Sequence, residues 1–420
     1  MKIDDWLAGL AQTATPDMDE CVAMLGDNIG WLHRLKETEQ DPEWHAEGDV
    51  HIHTNMVLQV LYQLLADEAQ HIRGERRQAL ILGVLLHDIA KPIRTGRFEL
   101  QSVERVGAPQ HETYGRSYLA FKLMVLPLPF EVIWTVLNLV GEHHIPKRLA
   151  VRNSSKADFL TVARQADTEL LYWLEVADMR GRICPDLPSQ LMYLDEYRMF
   201  AEEYQVWGQA QDVRSLLAPQ LAELPLFVQD YVYAHALYES ENAKINMVEE
   251  AMATTYQHRE QHAHLVVMCG PSGAGKSGWI AQNYPDYTLI SLDELRKEFN
   301  GSRDSQANKG QIIQHAKEQL KAALRNKQGV VWDATNLRKD FRSVICTLGR
   351  DYHALVSLVV FLLPEKQLFI NNRNRPYRVA DSVLMKQLDS YQFPLLNEAH
   401  QYQVVGEGGR TLFRSGYYQE

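Results

Sequence analysis

Residues 270–277 read Gly-Pro-Ser-Gly-Ala-Gly-Lys-Ser and follow directly on the apolar run Leu265–Cys269. Gly270, Gly273 and Gly275, with Ser272 and Ala274 between them, let consecutive backbone N–H groups curl around phosphate oxygens. Lys276 then reaches the terminal phosphates, and the Ser277 hydroxyl is placed to bind magnesium. A preceding strand, the complete eight-residue pattern and a helical stretch from Ser277 to Gln282 agree, which separates this loop from a glycine-rich turn that binds nothing. The chemistry implied is a grip on a nucleoside triphosphate with its Mg2+. What is done with the nucleotide must be read from other residues.

Asp293 ends the run Thr288–Leu292 and is followed three residues later by Arg296, so a helix starting here turns both side chains toward the phosphate crevice. A carboxylate beside an attacking hydroxyl takes its proton, and an arginine holds a neighbouring phosphate of the acceptor. Such Asp-x-x-Arg segments are also common as exposed ion pairs; the position after a strand favours the chemical reading. A second strand end, Val330-Val331-Trp332-Asp333-Ala334-Thr335-Asn336, puts Asp333 where it orients a magnesium shell and Thr335-Asn336 where they contact nucleotide or acceptor. Arg373, Arg375 and Arg378 fall within six residues, as a lid closing on transferring phosphates requires, with solvated surface charge as the alternative. Between Asp293 and Arg350 there are twelve Lys or Arg against seven Asp or Glu, in a chain whose net charge is −11. This excess gives weak support to a polyanionic acceptor.

The amino-terminal half carries a different constellation. The run Leu80–Leu86 ends in adjacent His87 and Asp88, followed by Lys91-Pro92. Two neighbouring polar residues at the end of an apolar helix are best explained if both enter one polar pocket. Further candidates sit on separate predicted helices: His53, His111 in His111-Glu112-Thr113-Tyr114-Gly115, the pair His143-His144, and Asp178 in Ala177-Asp178-Met179-Arg180-Gly181-Arg182. Histidines and carboxylates gathered from several helices suit divalent transition metals, which acidify a bound water and polarise a phosphoryl oxygen. Lys91, about one helical turn beyond the doublet, is placed to face a substrate phosphate. Most histidines of a histidine-rich domain are ordinary surface or core residues, and His33, His45, His51 and His71 are read so.

These residues need two kinds of scaffold. From Met1 to about Asp186 apolar residues recur at helical spacing in Met56–Leu65, Ala79–Ile89, Phe130–Val140 and Phe159–Ala177, so residues 1–186 are expected to form an all-α domain. Residues 187–261 continue helix-like and acid-rich and read as a helical connector. Beyond His262 short apolar runs alternate with helical stretches: Leu265–Cys269, Thr288–Leu292, Val330–Asp333, Leu355–Leu363 and Gln403–Val405. Residues 262–420 are therefore expected to be an α/β domain with a mostly parallel sheet, whose ligands sit at the carboxyl ends of the strands. A length of 420 residues and 45% hydrophobic composition support such a multidomain globular chain. No apolar stretch reaches membrane-spanning length, the start Met-Lys-Ile-Asp-Asp-Trp lacks a signal-peptide core, and Cys21, Cys184, Cys269 and Cys346 are scattered. A cytoplasmic protein with reduced thiols and no membrane partner is expected.

From Gly270–Ser277, Asp293-x-x-Arg296, Asp333–Asn336 and Arg373–Arg378, the region from roughly His262 to Glu420 resembles the polynucleotide 5′-hydroxyl kinase family. The resemblance implies that Lys276 and Ser277 bind phosphates and magnesium, Asp293 is general base, Arg296 holds the phosphate next to the 5′-OH, and Arg375 or Arg378 is the lid arginine. The ordered series His53, His87-Asp88, His111, His143, Asp178 resembles the HD phosphohydrolase superfamily, in particular the HD domains attached to some transfer-RNA nucleotidyltransferases. This implies that His53, His87, Asp88 and Asp178 hold one metal, with Asp88 bridging, and that His111 with His143, or alternatively His144, completes a second. Without a second metal, His111 and His143 become substrate contacts. Together the halves look like the HD-Pnk end-healing enzymes. That likeness implies ATP-dependent phosphorylation of 5′-OH ends of RNA or DNA and removal of a 2′-phosphate or 2′,3′-cyclic phosphate by a site holding Mn2+, Ni2+ or Co2+. A separate ligase would join the healed ends. Two other readings stay open: a nucleoside or sugar kinase joined to an HD nucleotidase, and an ATP-driven switch with an HD domain that binds a signalling nucleotide.

Overall fold

The computed structural model describes residues 2–418 apart from 101, 304 and 306. The chain forms two compact units, Met1–Gln211 and Asp212–Glu420.

The first unit is helical. Its central helices are Val50–Ala66, Gly74–Leu86, His111–Lys122, Phe130–Glu142 and Thr168–Arg180. Side-chain caps start two of them: the Asp49 carboxylate accepts a hydrogen bond from the Ile52 N–H at 2.9 Å, and Asp167 accepts from Glu169 and Leu170 at 3.1 and 3.0 Å. Asp167 also explains why the expected continuous stretch Phe159–Ala177 is two helices, Lys156–Gln165 and Thr168–Arg180. Close approach brings the ligand-bearing helices together. A Cβ on Gly181 would stand 2.8 Å from Val57 Cα, so only glycine lets the end of the Asp178 helix lie against the His53 helix. The helix expected to run to Ile89 ends at Leu86, and residues 87–90 form a turn. One element was not foreseen, an antiparallel hairpin of β1 (Gly96–Leu100) and β2 (Val103–Gly107), with Phe98 opposite Arg105 and Arg97 opposite Val106. Its charged, mostly exposed residues carry no apolar alternation from which a strand is readable.

The second unit is built on six strands: β3 (His264–Cys269), β4 (Thr288–Ser291), β5 (Gly329–Asp333), β6 (Leu355–Phe361), β7 (Gln401–Val405) and β8 (Thr411–Ser415). Their order is β4-β5-β3-β6-β7-β8; the first five are parallel, and β8, absent from the expectation, runs antiparallel to β7. Every residue of β6 is buried, which accounts for its unbroken apolar run. The chain leaves β3 toward β4 and later crosses to β6 on the other side, so the topological switch point lies at the carboxyl end of β3, where residues 270–277 begin. A fully buried Arg342 locks this edge: it donates to both Glu398 oxygens at 2.7 and 2.9 Å and to the Asn336 and Leu337 carbonyls at 3.1 and 3.0 Å.

Residues 187–261 are divided between the units. Leu187–Glu203 packs on the first through Leu194 and Tyr197, with Tyr197 stacked on Phe159. Leu226–Glu241 belongs to the second, where Tyr231 and Ala234 join Leu355 in one apolar cluster and the Tyr231 hydroxyl donates to the His353 carbonyl at 3.0 Å.

Two buried histidines give the second unit an acid sensitivity. Burial pushes His235 down to about 3 and His264 down to about 4. Both are neutral in the fold and become protonated on unfolding below about pH 6.5. Their contribution is complete above that value and erodes as pH falls toward the native values, by up to about 1.4 kcal/mol per pH unit for each group. Denaturant melts at pH 7, 5 and 4 should therefore show falling stability, and His235→Gln, which cannot protonate, should flatten the loss.

Candidate active sites

In the first unit five elements deliver side chains to one buried point. His53 Nε2 lies 3.0 Å from Asp178 Oδ1 and 3.8 Å from Asp88 Oδ2; His87 Nε2 lies 3.2 Å from Asp88 Oδ2 and 3.9 Å from Asp178 Oδ1. His111 Nε2 is 3.0 Å from the other Asp88 oxygen and 3.3 Å from His143 Nε2. All six sequence-predicted ligands, His53, His87, Asp88, His111, His143 and Asp178, thus converge, with Asp88 between the His53/His87 side and the His111/His143 side. His144 joins them, its ring 4.0 Å from His143 and 5.2 Å from His111.

The histidines are oriented from behind. His87, His111 and His143 each donate from Nδ1 to a backbone carbonyl three residues earlier, Val84, Ala108 and Val140, at 2.7, 2.8 and 2.8 Å. In the neutral ring, a proton on Nδ1 leaves the Nε2 lone pair to face the centre. His111 Nε2 and His143 Nε2 face one another at 3.3 Å, and burial, with His111 and His87 close by, pushes His143 down to about 3, which keeps that ring neutral. His53 Nε2, His87 Nε2 and Asp178 Oδ1 are buried and make no directional hydrogen bond. Burial opposes ionisation of Asp88 and Asp178, yet His87 and Lys91 hold Asp88, and Arg182 and His53 hold Asp178, well below the usual carboxylate range. Lone pairs and anions gathered at one buried point are what a divalent cation requires, and the donor set of imidazole and carboxylate suits a transition metal.

Lys91, expected on a substrate phosphate, lines the cavity over the centre, its ammonium 2.7 Å from Asp88 Oδ2 and donating to Gln40 Oε1 at 2.7 Å. Two further features were not legible beforehand. Arg182 pairs with Asp178. His45, read as ordinary, lies with Glu47 behind His53: Glu47 Oε1 is 2.9 Å from His45 Nδ1 and 2.7 Å from His53 Nδ1, and Oε2 accepts from the Ile183 N–H at 2.9 Å. Glu47 comes from an irregular segment, so no periodicity marked it.

In the second unit the phosphate loop bounds a cavity of about 630 Å³ at the carboxyl edge of the sheet. Gly273 and Gly275 have φ of +83° and +89°, and a Cβ at Gly273 would stand 2.7 Å from the Leu368 carbonyl oxygen. Gly270 donates to the Thr335 carbonyl at 2.9 Å, Asn371 donates to the Gly273 carbonyl at 3.0 Å, and the Ser272 N–H donates to Gln387 at 2.8 Å. Ser272 to Ser277, Asp293, Asp333, Thr335 and Arg375 line the cavity. Lys276 donates to the Gly270 and Pro271 carbonyls at 2.8 and 3.0 Å; burial lowers its pKa against the opposing pull of Asp333 and Asp293. Burial raises Asp333, with Lys276 opposing.

Arg296 pairs with Asp293 at the start of the helix Leu292–Asn300, but unlike Asp293 it is not among the described residues lining the cavity. Of the two lid candidates the cavity takes Arg375; Arg378 is half exposed, pairs with Asp381 at 3.3 Å and is not among the described residues lining the cavity. Asn336 does not serve as a ligand contact: it is buried, its φ is +46°, and its amide donates to the Met268 carbonyl at 2.7 Å, fastening β5 to β3. Arg303 and Tyr377, both on the cavity wall and stacked with 3.8 Å from guanidinium to ring centroid, were missed because they lie in irregular segments.

Residues 50–179 match the family model of the HD domain, and residues 265–394 match a model described as an AAA domain. No curated protein matches the chain. The order is an HD domain in the amino-terminal unit and a P-loop, kinase-like domain in the carboxyl-terminal unit. No helix among the described residues is long and apolar enough to cross a membrane.

The Glu47 carboxylate lies behind the His53 ring, 2.7 Å from its Nδ1. Glu47→Gln should weaken Mn2+ binding about 10- to 100-fold, measured by titrating metal into the metal-stripped chain, whereas His71→Gln, remote from the centre, should leave the affinity unchanged.

Proposed function

We propose that the chain heals broken polynucleotide ends: the P-loop domain phosphorylates a 5′-OH end with ATP, and the HD domain removes a 2′-phosphate or opens a 2′,3′-cyclic phosphate. The observation that carries this reading is the pairing, on one chain, of a phosphate cradle facing Asp293 with a buried His/Asp centre suited to phosphoester hydrolysis. A strand broken to leave 5′-OH and 2′,3′-cyclic phosphate ends needs both reactions before a ligase can join it.

In the P-loop domain the loop N–H groups and Lys276 hold the ATP phosphates, and Ser277 with Asp333 would hold Mg2+. Asp293 takes the proton of the attacking hydroxyl while the γ-phosphoryl group passes in line to its oxygen and ADP leaves. Arg296 orients Asp293 and holds the phosphate next to the 5′-OH, and Arg375 stabilises charge on the equatorial oxygens.

In the HD domain His53, His87, Asp88 and Asp178 would hold one divalent ion, and His111 with His143 or His144 a second. Such ions supply an acidified water and charge neutralisation at the phosphoryl oxygens. Lys91 and Arg182, both on the cavity wall, offer cations to the substrate phosphate, and exclusion of bulk water by the apolar helices strengthens these contacts.

The test is incubation of end-labelled oligonucleotides with ATP and Mg2+, then with Mn2+, Ni2+ or Co2+, resolving both ends. Asp293→Ala should lower 5′ phosphorylation about 10²- to 10⁴-fold and leave the 3′-end reaction intact. The double change His87→Ala and Asp88→Ala should remove 3′-end processing and spare the kinase. Phosphorylation of a free nucleoside as readily as of an oligonucleotide would instead favour the small-molecule kinase.

A further inference from the structure

The cavity over the His/Asp centre measures about 150 Å³. That is well below the roughly 300 Å³ at which pockets begin to enclose a small organic ligand, so it admits a phosphate-sized group and leaves the rest of a nucleotide at the mouth. Among the lining residues is Trp44, 37% exposed, an indole kept beside the charged side chains of Asp88, Lys91, Asp178 and Arg182.

Trp44 is held there by a built support. The buried Asp41 carboxylate accepts from the backbone N–H groups of Glu43 and Trp44 at 3.0 and 3.3 Å, and from Val106 of β2 at 3.2 Å. Arg105, also of β2, pairs with Asp41 at 3.3 Å and Glu43 at 2.5 Å, and its guanidinium covers the Trp44 ring 4.9 Å from the centroid. The unforeseen hairpin therefore has a task. It fixes the turn that presents the indole, while Val106 and Gly107 of β2 form the neighbouring wall of the same cavity.

We propose that Trp44 is the stacking platform for the nucleobase of the nucleotide whose phosphate enters the His/Asp cavity. The inference rests on the assignment of phosphoester hydrolysis to the HD domain, and it adds the substrate feature read there: an aromatic base next to the phosphate, recognised by its π-face and hence without strong preference among the four bases. Lys91 and Arg182 take the phosphate and Trp44 takes the base, so the site distinguishes a nucleotide terminus from a bare phosphoester.

The test uses the full chain with Mn2+ and two RNA oligonucleotides ending in a 2′,3′-cyclic phosphate, one with a base on the last ribose and one abasic there. Trp44→Ala should raise KM on the base-bearing end roughly 5- to 100-fold, with kcat within about twofold. Trp44→Phe should restore most of the loss, and neither variant should alter the abasic end. Equal effects on both ends, or none on either, overturn the proposal. If the unaltered chain hydrolyses neither oligonucleotide, the hydrolytic reading fails separately. Equilibrium binding of adenosine 5′-monophosphate against ribose 5-phosphate then decides: an affinity advantage of the base-bearing ligand that disappears in Trp44→Ala supports the platform, and no such advantage overturns it.

Discussion

The first unit depends on burying imidazoles and carboxylates at one centre, where His53 Nε2, His87 Nε2, Asp88 Oδ2 and Asp178 Oδ1 have no directional protein hydrogen bond. Such groups destabilise an apolar interior unless something compensates them. Here compensation comes from two directions. Backbone carbonyls satisfy the outer nitrogens of His87, His111 and His143, the Glu47 carboxylate lies 2.7 Å from that of His53, and the ionised Asp88 and Asp178 are surrounded by His53, His87, Lys91 and Arg182. The inner lone pairs remain directed at one another, which is why the cluster reads as a cation site and not as a packed polar core. Helix packing close enough to need Gly181 brings the groups within this range.

The second unit solves a different problem, exposing backbone N–H groups to a ligand without losing the shape of the loop that carries them. The parallel sheet collects the ends of β3, β4 and β5 at one edge, so Lys276, Asp293 and Asp333 share a cavity although they are far apart in sequence. The loop is then tied from outside by Thr335, Asn371 and Gln387. Arg342 and Glu398 anchor the segment after β5 from beneath. A pair so deeply buried is tolerated because all three guanidinium nitrogens donate to oxygens, in four hydrogen bonds.

The sequence exposed those parts of both sites whose residue types are unusual for their location. The His87-Asp88 doublet ends an apolar helix, and the phosphate loop breaks a strand with three glycines, so both were readable. Strand positions followed from short β-rich runs, within one or two residues for β3, β4 and β5. What stayed hidden lies in irregular or charged stretches. Glu47 and Trp44 occupy a loop, Arg303 and Tyr377 flank the nucleotide cavity from loops, and β1 and β2 look like solvated chain. Asn336 was misread in the opposite sense: a polar residue at a strand end suggested ligand contact, while its left-handed backbone and buried amide serve the join between β5 and β3. Each of these depends on partners distant in the chain, which no local pattern encodes.

Three of the histidines share one device, a ring tethered to the carbonyl of the residue three places before it. Aim is thereby written into each ring's own preceding turn, whether the histidine opens a helix, as His111 does, or follows one, as His87 and His143 do. His53 lacks that self-sufficiency and borrows its alignment from a loop carboxylate. Divergence in the loop around Glu47 would therefore disturb one coordination vector first, while the other three keep their bearing.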